Sequence, residues 1–207
     1  MSSTTSLAYT PVRVGSRPAW SPWGGGALLA GALVLLAATI TEYFVWQTTT
    51  LGTGVFVVFS ALFLVSIVLY VVAMLALAFA GGGIVGSSVI GKVALVAFAI
   101  GWAGQQLLYW TSYFFDQYPA TLDVLSLFFV VLTYLGAIIA GIVIAIGRVV
   151  TGIARWALLV GLVLAGICGT IANASTDATV VTVLLSISCV IQAAIGASYL
   201  RPSLREA

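Results

Sequence analysis

Residues 55–80 read VFVVFSALFLVSIVLYVVAMLALAFA, a run of 26 residues without a charged side chain. A helix needs about 20 apolar residues to cross the hydrocarbon core of a bilayer. The run is more than twice the length of a membrane β-strand, about ten residues, and does not alternate polar with apolar residues. Because every amide in hydrocarbon must pair within its own segment or in a closed barrel, the run predicts a transmembrane α-helix.

Five further apolar runs of similar length surround this one. Only 6% of the 207 residues are charged and 62% are hydrophobic, whereas a soluble domain has about 25% charged residues. All five prolines lie outside the runs. The sequence therefore predicts an all-α, polytopic integral membrane bundle. Its six transmembrane helices are expected at 27–46, 55–80, 89–115, 122–146, 153–174 and 178–200.

The chain is divided accordingly into a polar N-terminal segment (1–25), a six-helix transmembrane domain (26–200) and a C-terminal tail (201–207). With six spans, all seven basic residues fall on one side of the membrane: Arg13, Arg17, Lys92, Arg148, Arg155, Arg201 and Arg205. Four acidic residues lie toward the other side, with Glu206 the exception: Glu42, Asp116, Asp123 and Asp177. Because Lys and Arg are enriched in cytoplasmic loops, both termini are predicted to be cytoplasmic. The preference for Arg, with abundant Ala, Gly and Val, favours a bacterial inner membrane.

Several classes of chemistry are excluded by what the chain lacks. It has no histidine, which excludes His-ligated haem, most zinc sites and His-based catalytic dyads. It has no aspartate cluster that would hold magnesium and no Gly-Lys-Ser/Thr phosphate loop. Cys168 and Cys189 lie within apolar runs and are expected to be small core residues. We therefore expect no enzymatic activity, no metal or cofactor, and no nucleic-acid partner.

The third span contains the densest group of polar and aromatic side chains. Trp102, Gln105, Gln106 and Tyr109 fall largely on one helix face, and the amides lie near mid-membrane, where each needs a partner. Tyr134 in the fourth span and Gln192 in the sixth lie at similar depth. One hypothesis is a polar pocket lined by these six residues that holds a small solute or a lipid head group. The alternative is that they only join helices by hydrogen bonds.

Glu42 is the one acidic residue within a predicted span, about one turn before Trp46. An ionisable residue inside the membrane is a candidate for proton or cation handling. The alternative is a solvated or hydrogen-bonded carboxyl group at the interface.

Asp123 and Asp177 lie at the starts of the fourth and sixth spans, beside Thr121 and Thr176 as N-cap candidates, and helix capping and the helix dipole explain them. The alternative is an outer acidic patch, with Asp116, that attracts cations.

The fifth span has small residues at every fourth position: Ala157, Gly161, Ala165 and Gly169. Such a face lets a second helix approach closely. One interpretation is an interface with another membrane protein or with a second copy of this chain. The alternative is packing against a neighbouring helix of the same chain. Membrane lipids are the remaining expected partners.

Two functions follow as hypotheses. The first is a non-enzymatic membrane subunit or scaffold that acts by helix packing with a partner. The second is a small-solute or lipid carrier, or a transporter's substrate-binding subunit, with a polar pocket at the bilayer midplane. In size and number of spans, though in no motif, the chain is similar to the substrate-binding subunits of energy-coupling vitamin transporters.

Overall fold

The computed structural model describes residues 18–48, 54–115, 119–147, 149–200 and 203–204. Within these ranges it has six helices of 20 to 29 residues that are long and apolar enough to cross a membrane. The predicted all-α bundle is therefore confirmed, and the side on which each terminus lies stays a prediction. The helices are α1 (Gly26–Thr48), α2 (Gly54–Phe79), α3 (Val89–Ser112), α4 (Ala120–Gly147), α5 (Ala154–Asn173) and α6 (Ala178–Leu200).

The remaining elements are short. A single π-helical turn, Ser21–Gly25, leads into α1, and a 3-10 turn, Ala80–Gly82, follows α2. The strands β1 (Val150–Thr151) and β2 (Ser203–Leu204) form an antiparallel pair.

The six helices form a closed ring. Each packs against its neighbours in sequence, and α6 packs against α1. The contact between α4 and α5 is the least extensive of the six. A ring of this kind has an inner face as well as an outer one, and the candidate site lies on the inner face.

One end of the ring, where α1 begins and α6 ends, is tightly packed, and we call it the closed end. The Ser21 hydroxyl lies 2.9 Å from the carbonyl oxygens of both Tyr199 and Leu200, and it caps α6. A Cβ added at Gly25 would lie 2.6 Å from the Leu200 nitrogen, so glycine is what lets the two backbones approach so closely. Trp20 and Tyr199 are fully buried beside this contact.

Glycine also ends α2 at the closed end. Gly81, Gly82 and Gly83 all adopt positive φ, at 57°, 92° and 75°. This conformation lets the Ile84 amide donate to the Leu77 carbonyl at 2.7 Å, which satisfies one carbonyl of the last turn.

The opposite end, which we call the open end, is loosely packed on one side. Residues 120–132 of α4 and 178–187 of α6 include no buried residue. In α1 and α2, by contrast, Glu42, Val45, Phe56 and Phe59 are buried near the same end. At this end the ring is therefore tight where α1 packs against α2 and loose along α4 and α6.

The charged residues that the structure describes divide between the two ends. Lys92 and Arg155 lie at the starts of α3 and α5, at the closed end. Asp123 and Asp177 lie at the open end. The Asp177 carboxylate accepts hydrogen bonds from two backbone amides in the first turn of α6, so this helix is capped by Asp177 and not by the neighbouring Thr176. The other charges used for the topology prediction lie outside the described residues: Arg13, Arg17, Asp116, Arg148, Arg201, Arg205 and Glu206.

Candidate functional site: a central cavity open at one end

The ring encloses a cavity of about 570 Å³ that extends from mid-helix depth toward the open end. Residues from all six helices line it. Small-molecule pockets in proteins have volumes of about 300–1,000 Å³, so this space is large enough for a ligand. All six residues of the pocket hypothesis line this one cavity: Trp102, Gln105, Gln106, Tyr109, Tyr134 and Gln192.

The floor of the cavity is a hydrogen-bonded group centred on Gln192. The Tyr70 hydroxyl donates to the Gln192 carbonyl oxygen at 2.5 Å, and the Gln192 amide nitrogen donates to the Ser188 hydroxyl at 3.1 Å. The Tyr70 ring stacks on Trp102 with centroids 4.1 Å apart. Because both ends of this amide are paired inside the chain, Gln192 joins α6 to α2, as the hydrogen-bonding alternative expects.

Tyr70 was missed by the sequence reasoning. It is the only tyrosine in the second span, surrounded by Val, Leu and Ala. A lone hydroxyl in such a run needs a partner at mid-membrane depth, and that was the signal that could have identified it.

The wall of the cavity carries the two amides of Gln105 and Gln106. Both residues are partly buried and line the cavity. Among the residues that the structure describes, neither side chain has a hydrogen-bond partner. Each amide offers two N–H donors and a carbonyl acceptor. An unpaired amide at membrane depth is costly, so these two groups are available to a ligand or to water.

Near the open end, the cavity is bordered by a carboxyl group held by phenols. The hydroxyls of Tyr109 and Tyr113 both donate to the same oxygen of Glu42, and the Trp46 indole N–H donates to the Tyr113 oxygen at 3.0 Å. Glu42 is 3% exposed. The carboxyl group is therefore hydrogen-bonded, but it is buried in the bundle and is not solvated at the surface.

Aromatic rings of α2 support these phenols from behind. Phe59 packs against Tyr113 with centroids 5.5 Å apart, and Phe63 packs against Tyr109 at 6.1 Å. Phe59 and Phe63 are both buried. This packing restricts the phenol rings, so the donors to Glu42 are fixed in place before any ligand arrives.

The small-residue face of α5 lies inside the ring. A Cβ added at Gly161 would lie 2.5 Å from the Ile195 side chain of α6. Ala165 and Gly169 line the cavity, and Ala157 packs, partly buried, against the core. Internal packing therefore accounts for Ala157 and Gly161, whereas Ala165 and Gly169 face the cavity; use of this face by a separate subunit stays a prediction.

The charges around the cavity are of one sign. Glu42 is the one carboxyl group among the lining residues, and no Lys or Arg lines the cavity in the described part of the chain. Lys92 and Arg155 lie at the closed end. The arrangement thus suits an uncharged or cationic group and has no side chain that would neutralise an anion.

In comparisons with known proteins, no family model, no curated protein and no solved structure matches this chain. The cavity is therefore the main guide to its function.

Proposed function

We propose that this multi-pass membrane protein binds a small uncharged or cationic ligand in the central cavity, as a carrier or as the substrate-binding subunit of a transporter. The unpaired amides of Gln105 and Gln106, facing a cavity of about 570 Å³, are the observation that carries the proposal. An amide that only joined helices would have a partner on another helix, as Gln192 has in Tyr70. The two amides of α3 instead offer their hydrogen bonds to the space inside the ring.

The orientation of the cavity follows from the positive-inside rule. Both basic residues in the described part of the chain lie at the closed end, and the acidic residues Asp123 and Asp177 lie at the open end. Because Lys and Arg favour the cytoplasmic side, we place the closed end in the cytoplasm and the open end outside. The ligand then enters from the external side or from the outer half of the bilayer. Composition favours a bacterial cytoplasmic membrane.

The rival proposal is a non-enzymatic subunit or scaffold that acts by packing against a partner protein. Its main support was the small-residue face of α5, and Gly161 on that face is already covered by Ile195 of α6. This proposal now requires a different surface. It remains the alternative outcome of the experiment below.

Native mass spectrometry of the protein extracted in patches of its own membrane tests the proposal. We expect the wild-type chain to carry a small non-protein mass, and Gln106→Leu to lose it. The matched control is Gln47→Leu, which changes an exposed amide of α1 that does not line the cavity and should keep the mass. A wild-type chain without such a mass contradicts the proposal, and a second polypeptide at fixed stoichiometry would support the scaffold alternative.

A further inference from the structure

A second, apolar groove lies on the outer face of the ring, between α4 and α5. It has a volume of about 370 Å³ and is lined mainly by Ile138, Leu159, Val163, Ile167 and Ile171. Four of these five side chains, all but Leu159, are 42–52% exposed on the outside of the ring, where the bilayer would lie. We call this feature the lateral groove.

The lateral groove and the central cavity adjoin one another. Five residues line both: Tyr134, Ala137, Leu162, Gly166 and Thr170. The α4–α5 contact is also the least extensive in the ring. The polar central cavity and the apolar lateral groove thus lie on opposite sides of the α4–α5 contact.

Tyr134 is the side chain that separates the two spaces. Its Cε1 atom lies 2.9 Å, and its hydroxyl oxygen 3.1 Å, from the position that a Cβ of Gly166 would take. The ring rests on α5 only because residue 166 has no side chain. The Tyr134 side chain is 41% exposed, and it has no hydrogen-bond partner among the described residues.

The groove is bounded on its closed-end side by a close approach of the two helices. A Cβ added at Gly141 would lie 2.9 Å from the Leu159 Cβ. Toward the open end, by contrast, residues 120–132 of α4 include no buried residue. The backbones of α4 and α5 are therefore close at Gly141, whereas at Gly166 the ring of Tyr134 lies between them.

We propose that the ligand is a single-chain amphiphile whose hydrocarbon chain lies in the lateral groove and whose cationic head group reaches the central cavity past Tyr134. This inference rests on the proposed binding function of the cavity. The amides of Gln105 and Gln106, which have no partner among the described residues, and the Glu42 carboxyl group receive the head, and no basic side chain of the described lining compensates an anion. The groove offers the chain an apolar surface that is continuous with the bilayer.

Equilibrium binding of radiolabelled probes to the protein in lipid nanodiscs, corrected with empty nanodiscs, tests this. The probes are dodecyltrimethylammonium, its butyl analogue and dodecanoate. We expect the two cations to bind and dodecanoate to bind at least about tenfold more weakly, because its carboxylate would be buried beside Glu42 with no basic side chain of the described lining to neutralise it.

The groove itself is tested with a matched pair of variants. Val163→Trp fills the groove, whereas Val160→Trp places the same bulk on α5 outside it; the two valines are 49% and 51% exposed. Overpacking of this size should weaken dodecyltrimethylammonium binding by about 5- to 100-fold in Val163→Trp alone. The butyl probe, which is too short to occupy the groove while its head is in the cavity, should bind both variants like wild type, which also shows that they fold.

The outcomes separate the two proposals. If both tryptophan variants bind the dodecyl probe equally while the butyl probe still binds, the amphiphile inference is overturned and the cavity proposal stands. Dodecanoate that bound as tightly as the cations would overturn the head-group assignment. If neither cation binds the wild-type protein, the amphiphile inference is overturned, whereas the proposed function, which also admits an uncharged ligand, is decided by the native mass spectrometry.

Discussion

Replacing a hydrogen-bonded amide of the cavity and replacing one without a partner should affect the stability of the fold differently. Gln192→Leu keeps the side-chain size but removes the bond from Tyr70 at 2.5 Å and the bond to Ser188 at 3.1 Å. An interhelical hydrogen bond in a membrane contributes about 0.6 kcal/mol on average and up to about 1.7. A side-chain pair four residues apart on one helix adds about 0.2–0.5 kcal/mol. We therefore expect Gln192→Leu to destabilise the fold by about 1–2 kcal/mol, or about 5- to 30-fold in the unfolding equilibrium.

Gln106→Leu is the matched substitution on the cavity wall. Its amide has no partner among the described residues, so the change should leave stability unchanged or raise it slightly. Steric trapping in bicelles measures both variants without denaturant. A double-mutant cycle of Gln192→Leu with Tyr70→Phe should give a coupling of about 0.6–1.7 kcal/mol. If Gln106→Leu costs as much as Gln192→Leu, the distinction between a paired structural amide and a free binding amide is refuted.

Three further changes probe the frame around the cavity. Gly136→Ala should destabilise the bundle by about 1–3 kcal/mol, because its Cβ would lie 2.6 Å from a backbone nitrogen of α3. Gly147→Ala, with no atom within 4 Å, is its control and should be neutral or stabilising by up to about 1 kcal/mol in the same steric-trapping assay; equal losses would refute the close packing. Ser21→Ala should cost about 0.5–1.5 kcal/mol by removing the cap of α6, and hydrogen exchange should then rise in the last turn of α6 but not in its first. Tyr113→Phe removes one of two phenol donors to Glu42, so infrared absorption of that carboxyl group should shift; an unchanged band would contradict the contact.

The helices were predictable from the sequence because their signal is local. A run such as 55–80 has to be a helix in hydrocarbon, whatever its neighbours are, and the triple glycine at 81–83 marks where it ends. The six-helix bundle, the end of α2 and the capping role of Asp177 could all be predicted. Each depends only on residues within a few positions of the feature.

The pairing of the polar residues could not be predicted in the same way. Gln106 and Gln192 look alike in the sequence, as amides in the middle of apolar spans. What distinguishes them is that Tyr70 of α2 lies opposite Gln192, and the order of helices around the ring decides that. The burial of Glu42 has the same origin, because its phenol partners come from α3.

The packing partner of the small-residue face of α5 could not be predicted from the sequence either. The spacing predicts that something packs closely against Gly161, but it does not say whether the partner is internal. The structure places Ile195 of α6 there. A periodic pattern thus identifies an interface without identifying what lies on its other side.

The central claim is that water and ligand reach Gln106 from one side of the membrane. The most direct measurement is the labelling rate of Gln106→Cys, with Cys168 and Cys189 replaced by serine, by a membrane-impermeant cationic methanethiosulfonate applied to either side. The control is Leu107→Cys, the next residue, which is 44% exposed on the outer face of the ring and does not line the cavity. A thiol in hydrocarbon forms no reactive thiolate, so the control should stay unlabelled. We predict labelling at position 106 from the external side only; no labelling from either side, or equal labelling of both positions, would contradict the account.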